Sequence, residues 1–278
     1  MTTRNVFITG CSTGIGRALA RACISRGDTV VATARNVDDL QYLDHDNAIR
    51  MALDVNDDSA IERVFEEVSA RLGHIDLLIN NAGYAAMGPL VDMPIEDLRA
   101  QFETNVFAPM ELTKACLPLL TSKQHAQVVN IGSVSGITTT PFSGAYCATK
   151  AALHSLSDAH RMELAPFGIE VITVQPGAIE SKFGDNSLAN VLQRITPDSL
   201  YAPLKEDIKA RATASQDNPT PAKEFAELLV EQLLNKPKPI IRIGNGSCTL
   251  PLLKRWLPTK VLDNILSKKF NLSKLKDS

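Results

Sequence analysis

The chain contains none of the signatures that would place it outside the cell or in a membrane. Its five cysteines, Cys11, Cys23, Cys116, Cys147 and Cys248, are odd in number and scattered, with no CxxC pair and no Cys/His spacing suited to a metal ion. A disulfide-stapled scaffold and a zinc module are therefore excluded, and reduced thiols in a cytoplasmic protein are expected. No apolar stretch approaches the ~20 residues needed to span a bilayer. Met1–Asn5 runs directly into a short apolar segment, without the h-region or cleavage site of a secretory leader. Tandem repeats and low-complexity tracts are also missing. Nor is there a surplus of positive charge: 29 Lys and Arg stand against 31 Asp and Glu, for a net charge of −2, which argues against a nucleic-acid partner held by global charge.

What is present is the composition of a globular domain. Hydrophobic residues make up 44% and charged residues 22% of the 278 positions, a length that suits one large α/β domain. The charge is unevenly spread. Ten basic and two acidic residues fall between Lys236 and Ser278, so a basic tail (+8) follows an acidic body (−10).

Short β-branched runs alternate with longer segments of helical period, the pattern of a doubly wound parallel sheet with helices on both faces. Strands are predicted at Asn5–Thr9, Thr29–Thr33, Ala48–Leu53, Ile75–Ile79, Gln127–Ile131, Glu170–Gln175 and Ile240–Ile243. Helices are predicted at Gly14–Ser25, Asp57–Leu72, Ile95–Leu120, Ala145–Pro166 and Pro221–Leu234. Gly27, Gly73 and Gly168 each follow a helical pattern and precede a strand, where a left-handed residue ends a helix most easily. The longest departure from alternation, residues 179–219, reads as a substrate lid. Residues 1–246 are thus expected to form one Rossmann-like seven-stranded domain that includes this lid, with residues 247–278 as its basic amphipathic extension.

The first strand enters Thr9-Gly10-Cys11-Ser12-Thr13-Gly14-Ile15-Gly16 and then a helix. Glycines here permit a tight turn and let a pyrophosphate approach backbone N–H groups at the positive end of the helix. Ser12 and Thr13 can add hydroxyl contacts. At the end of the second strand, where a carboxylate would bond a ribose 2′-hydroxyl, the chain has Ala34 and then Arg35. A guanidinium pairs with a 2′-phosphate that a carboxylate would repel. The reading is NADP(H) as the preferred cofactor and NAD(H) as the weaker one, against the plain alternative that Arg35 is a solvated loop residue.

Tyr146 and Lys150 lie four apart in a predicted helix and share a face. An ammonium beside a phenol favours the phenolate, which proton chemistry at neutral pH would exploit. Ser133 follows the fifth strand and Asn80-Asn81-Ala82-Gly83 closes the fourth, both at carboxyl edges where ligands of such sheets bind. Asn105 is a polar residue inside a helix, where propensity disfavours it.

Together these residues resemble the short-chain dehydrogenase/reductase family, with the motif spacings in place between Val6 and Ser181. The resemblance implies a tetrad: Tyr146 as acid/base, Ser133 holding the carbonyl, Lys150 binding the nicotinamide ribose and lowering the tyrosine pKa, and Asn105 holding a water in the proton relay. It also implies Asp54 and Val55 flanking the adenine, Asn81, Ala82 and Gly83 lining the cofactor, and Pro176, Gly177 and Ile179 meeting the carboxamide, with Ser181 after them. A softer similarity reaches the 17β-hydroxysteroid, retinol and acyl-dihydroxyacetone-phosphate members, implying a hydrophobic carbonyl or alcohol substrate. The family further implies a homodimer or homotetramer through the Ile95 and Ala145 helices. A non-catalytic NADP(H)-binding regulator and a nonredox isomerase or dehydratase on the same fold are the alternatives.

An apolar substrate wall can come from Tyr84, Met87, Val134, Ile137, Phe142, Phe183, Leu188 and Leu192, with Lys182 and Arg194 suiting a phosphate-bearing lipid. Leu250–Leu257 and Val261–Leu266 carry apolar residues at helical spacing among Lys254, Arg255, Lys260, Lys268 and Lys269. The segment reads first as a helix pair closing the pocket, and second as a peripheral contact with an anionic membrane surface.

Overall fold

The computed structural model describes residues 3–181, 191 and 195–276. Seven strands run Asn5–Ile8 (β1), Thr29–Ala34 (β2), Ala48–Ala52 (β3), Leu77–Asn80 (β4), Ala126–Ile131 (β5), Ile169–Pro176 (β6) and Ile240–Ile243 (β7). They form one sheet in the order β3-β2-β1-β4-β5-β6-β7, with every pairing parallel. The helices are Gly14–Ser25 (α1), Asp58–Leu72 (α2), Ile95–Phe102 (α3), Ala108–Thr121 (α4), Gly144–Leu164 (α5), Lys205–Thr213 (α6), Ala222–Leu234 (α7), Thr249–Trp256 (α8) and Thr259–Lys269 (α9).

Side-chain alternation sorts the sheet into two cores. Val6 and Ile8 of β1 pack with Leu19 of α1 and Phe225 and Leu229 of α7. Phe7, between them, faces the other side and packs with Ile61 and Phe65 of α2 and Leu112 of α4. Both faces being covered, β4 and β5 are buried along their whole length, as parallel strands require. The strand order reverses between β1 and β4, so a crevice opens above their carboxyl ends.

The expected ends of the elements shift by one or two residues, for local reasons. Ile75 is buried but lies outside β4, because its N–H bonds the Leu119 carbonyl at the end of α4. Asn80 joins the strand because its amide donates to Asn130 Oδ1 at 2.8 Å across the sheet. Asp57 caps α2 by accepting from the Ala60 N–H. Gly73 and Gly168 end their helices in the left-handed conformation, as expected.

Two expectations about helices are corrected. The single helix expected over Ile95–Leu120 is interrupted by a π-helical turn at Glu103–Phe107 between α3 and α4. Pro109 has no N–H to return to the carbonyl of Asn105, so the regular ladder is already broken there. The segment expected to be a loop over 179–219 contains α6, which buries only Ile208 and Ala212 and so carries almost no periodic signal.

Candidate active site

The first element of the site is a turn that only glycine can make. Gly10 (φ +70°) and Gly14 (φ +53°) are left-handed. A Cβ on Gly16 would stand 2.3 Å from the Gly10 oxygen and 2.5 Å from Asn81 Nδ2. This close approach is fixed from β4: Asn81 Nδ2 donates to the carbonyls of Thr9 at 2.8 Å and Gly10 at 3.1 Å, while the N–H groups of Asn81 and Ala82 both donate to Thr9 Oγ1 at 3.0 Å. Asn81, expected to line a cofactor, therefore spends its side chain in holding the turn. Ser12, Thr13 and Ile15 stay at least partly accessible beside it. A groove of about 1170 Å³ starts at Thr13, Gly14 and Ser181 and runs away between α1 and α7, past Arg17, Arg21 and Glu231, while the turn itself forms a cradle at the head of α1. Such a cradle, at the N-terminus of a 12-residue helix without an acidic first turn, fits a dinucleotide pyrophosphate. Arg35 and Asp54 are exposed just beyond β2 and β3, with Val55 buried beneath. Pro176 and Ile179 are buried at the end of β6, Gly177 lies between them, and the Ser181 N–H is held by Gln216 Oε1 at 3.2 Å.

The proton-handling residues stand on α5 and the ends of β5. Asn130 Nδ2 donates to Ser157 Oγ at 2.8 Å, completing a buried Asn80–Asn130–Ser157 chain that fixes α5 against β4 and β5. Tyr146 and Lys150 are then 9% and 5% exposed, one turn apart on the face of α5 that looks toward the crevice. The phenol hydrogen-bonds the Ser133 hydroxyl. Lys150 Nζ donates to the Ile131 carbonyl at 2.7 Å and stands 5.8 Å from the Tyr146 ring centre.

Asn105, in the π-helical turn, donates from Nδ2 to the Tyr84 carbonyl (2.8 Å) and Thr149 Oγ1 (3.1 Å) and accepts from the Tyr84 N–H (3.1 Å). It ties the β4 loop to α5, and its Oδ1 comes so near Gly83 that a Cβ there would lie 3.0 Å away. A π turn at a functional residue is a recurring arrangement.

Burial decides the charges. It pushes the Tyr146 phenol up to about 12, against the Ser133 hydrogen bond and the nearby Arg211 cation, which pull it down. It also pushes the Lys150 ammonium down to about 8. Lys150 is not among the groups that pull the phenol down in the cofactor-free chain: its ammonium is turned to Ile131, and desolvation outweighs the charges nearby. The chain's own groups leave a protonated phenol at neutral pH, poised to give a proton rather than to take one.

Three residues escaped the sequence reading. His154, one further turn along α5, accepts from the Ser133 N–H at 3.3 Å, and burial pushes its imidazole down to about 4, so it is neutral. Its spacing of four from Lys150 was the available signal. Thr9 and Thr149 act only through bonds that no spacing reveals.

Beyond Tyr146 lies an apolar cluster of Ala85, Met87, Phe142, Val191, Ile195, Leu204, Ile208 and Ala212, against which Tyr201, Phe270, Leu272 and Leu275 pack. Met87 and Phe142 are there as expected. Val134 is buried outside this cluster, and Tyr84 and Ile137 are partly exposed. Lys182, Phe183, Leu188, Leu192 and Arg194 lie outside the described residues.

A Rossmann-like sheet with a glycine cradle and a Ser–Tyr–Lys–Asn group at its carboxyl edge defines a class of nucleotide-dependent enzymes. Comparison with known proteins agrees. Residues 4–191 match the short chain dehydrogenase family. A probable short-chain type dehydrogenase/reductase of Helicobacter pylori is 34% identical over 259 residues, covering 93% of this chain and 94% of its own length. An NADPH-dependent 3-dehydrocapnine reductase of Ornithobacterium rhinotracheale is 35% identical over 188 residues, 64% of this chain and 66% of that protein. The crystal structure of a short-chain dehydrogenase from Streptomyces avermitilis superposes with a TM-score of 0.79 at 31% identity, covering 100% of this chain and 98% of that one. The chain belongs to the short-chain dehydrogenase/reductase family and is an oxidoreductase.

The buried ammonium makes a signed prediction. Lys150 has a folded pKa of about 8 against its ordinary 10.5, so between these values the unfolded chain holds a proton that the folded one has lost, and rising pH stabilises the fold. Relative to Lys150→Met, the wild-type protein should gain up to about 3 kcal/mol from pH 7 to pH 10. Denaturant unfolding of both proteins at the two pH values measures this, and an unchanged difference would refute it.

Proposed function

We propose that the protein is an NADP(H)-dependent oxidoreductase that interconverts a carbonyl and an alcohol on a hydrophobic substrate, with Tyr146 as general acid/base. The observation that carries this is a buried phenol, hydrogen-bonded to Ser133 and one turn from a buried lysine, between the glycine cradle and an apolar wall. The nicotinamide would supply or accept the hydride. Gly10, Gly14 and Gly16 would admit its pyrophosphate and Lys150 its ribose, while Ser133 and Tyr146 would both direct O–H groups at the substrate oxygen. In the reductive direction the protonated phenol would discharge the developing alkoxide, and in the oxidative direction the same oxygen would take the proton back. Asn105 and His154 hold the loop and the backbone around that oxygen in place. The segment 179–219, including α6, would act as the lid.

Tyr146→Phe should lower kcat by roughly 100-fold or more, the scale of a lost general acid, while leaving NADPH affinity within about twofold, read by cofactor fluorescence titration. Unchanged turnover in a ketone panel would reject the role. Product formed without net NADPH consumption would mark a nonredox isomerase or dehydratase, and cofactor binding with no turnover by the wild-type protein a regulator.

Arg35, exposed where no carboxylate is present, is the reason to prefer the 2′-phosphate, and the Ornithobacterium relative is likewise described as NADPH-dependent. NADPH should bind more than tenfold tighter than NADH, the scale of a charge-assisted phosphate contact, and Arg35→Asp should invert the order. Equal affinities in the wild-type protein would remove the argument.

Both roles expected of the tail belong to this reading, with closure of the pocket passing from the helix pair to the residues after it. Asn271 and Lys274 bond Asp207 of α6, bringing Phe270, Leu272 and Leu275 onto the pocket cluster. Further back, Leu252 and Trp256 of α8 and Val261 and Ile265 of α9 are exposed among Lys254, Arg255, Lys260, Lys268 and Lys269, an arrangement suited to lying on an anionic cytoplasmic membrane surface. On the π-helical turn and α5, exposed Phe107, Leu156 and Met162 support assembly of a homodimer or homotetramer. Sedimentation should give two or four copies without lipid, and binding to phosphatidylglycerol vesicles that Trp256→Ser with Lys254→Glu removes. A monomer, or vesicle binding indifferent to those substitutions, would reject the corresponding part.

A further inference from the structure

Tyr146, Lys150 and His154 follow one another at intervals of four on α5 and share one face of it. The proposed reaction uses the first two directly, whereas the imidazole makes its hydrogen bond elsewhere. It is turned to the short turn that carries Ser133, where Nε2 accepts from the Ser133 N–H at 3.3 Å. The ring is inserted between the two glycines that frame this turn. A Cβ on Gly132 would stand 2.3 Å from His154 Nε2, and one on Gly136 would stand 2.5 Å from Cε1 and 2.8 Å from Nδ1. The turn therefore has no side chain at either place where the imidazole enters it.

Apart from the bond to the phenol, the other hydrogen bonds of Ser133 stay within its own turn. Its hydroxyl accepts from the Ser135 N–H at 3.1 Å and its carbonyl from the Gly136 N–H at 3.0 Å. Such bonds move with the turn and do not place it. Gly132, which donates to the Val174 carbonyl at 2.7 Å, is the last residue before Ser133 that β6 holds. His154 thus ties the backbone of Ser133 to the helix that carries Tyr146. The bond also fixes the state of the imidazole: an accepting Nε2 has no proton, so the neutral ring carries its proton on Nδ1. A second proton would set one N–H against another. Burial and the charges of Lys150 on α5 and Arg242 on β7 oppose that proton, and Asp158 on α5 favours it, with the outcome that the imidazole is pushed down to about 4. The turn from Ser133 to Gly136 brings no ionisable group of its own.

We infer that His154 is a positioning residue for the proposed reaction: as a neutral imidazole protonated on Nδ1, it holds the Ser133 backbone and thereby aims the Ser133 hydroxyl at the Tyr146 phenol and the substrate oxygen. The inference rests on the proposed function, to which it adds a residue that touches neither substrate nor cofactor. A hydroxyl that must meet a phenol and a reacting oxygen together tolerates little displacement, and a ring wedged between two glycines gives the turn little room to move. The same bond makes the site sensitive to acid, because a doubly protonated His154 would release the Ser133 N–H.

Two measurements on the full chain test this. In wild-type protein labelled with nitrogen-15 at histidine and serine, NMR should show the His154 ring in one neutral form, protonated on Nδ1, from about pH 8 to about pH 5.5, with the Ser133 amide unmoved over that range. A ring that titrates near its ordinary 6.5, or that carries its proton on Nε2, would overturn the inference without any turnover being measured. The second measurement is a double-mutant cycle on kcat, with NADPH and a ketone that the wild-type protein reduces. Ser133→Ala should cost about 100- to 1000-fold, the scale of one lost donor to a developing oxyanion. His154→Leu should cost roughly 10-fold, the scale of one lost hydrogen bond, and His154→Gln, whose Oε1 can accept where Nε2 did, should recover to within about threefold. In the Ser133→Ala background, His154→Leu should cost less than about twofold, because its effect passes through the missing hydroxyl. Costs that multiply, or a Gln variant as slow as the Leu variant, would make His154 a packing residue and sink the inference while the proposed function stands. A wild-type protein that reduces no ketone removes both. The NMR measurement needs no variant, so it decides even if His154→Leu does not fold.

Discussion

The arrangement depends on the place where β1 and β4 part. A parallel sheet whose order reverses there must leave a crevice at its carboxyl edge, and in this protein the crevice is held to shape by Thr9 and Asn81. Between them they make four hydrogen bonds across the gap, and these press the Gly10 carbonyl so near Gly16 that no side chain fits. The cradle is therefore rigid before any ligand arrives. The Asn80–Asn130–Ser157 chain does the same one strand further on, fixing α5 and with it Tyr146 and Lys150. The polar atoms buried in these chains are paired, Asn80 Oδ1 being the exception, because an unsatisfied amide in such a core is costly.

The electrostatics follow from that rigidity. Tyr146, Lys150 and His154 occupy one face of α5 and are shifted up, down and down, to about 12, 8 and 4. The three shifts have one leading cause, since burial disfavours whichever form of a group is charged. The outcome is a neutral imidazole that accepts a bond from the Ser133 backbone, a neutral phenol that bonds the Ser133 hydroxyl, and an ammonium that keeps its charge near neutral pH and donates to the Ile131 carbonyl. A buried site whose phenol and imidazole stay neutral is suited to respond strongly to charge that develops during a reaction, because each charge–charge interaction in it is weakly screened.

The cradle and the Tyr146–Lys150 pair were legible because their spacings are short and local: Gly10 to Gly16 in one turn, Tyr146 to Lys150 on one helix face. The seven strands were legible because β-branched runs stand out between helical periods. What stayed hidden was non-local or aperiodic. α6 buries two side chains, Ile208 and Ala212, too few to mark a face. Pro109 breaks the ladder beside Asn105, but the contacts that hold Asn105 in its π turn are with Tyr84 and Thr149, 21 and 44 residues away. The direction of the Tyr146 shift could not follow from the Lys150 spacing, because it is set by how deeply the phenol is buried, a tertiary property.

These two kinds of legibility divide the site itself. The cradle and the proton-handling residues are mounted on strand ends and on α5, and stand on the most deeply buried part of the sheet. The far wall comes from α6 and from Phe270, Leu272 and Leu275 at the end of the chain, joined through Asp207 by bonds from the partly exposed Asn271 and Lys274. Such contacts belong to the low-stability end of a fold and can open without disturbing its core. Opening them would uncover the pocket while Tyr146 and Ser133 stayed in register, so entry of a bulky substrate need not loosen the groups that act on it. The same division lets the apolar residues of the wall change without altering the proton transfer that the sheet edge has already arranged.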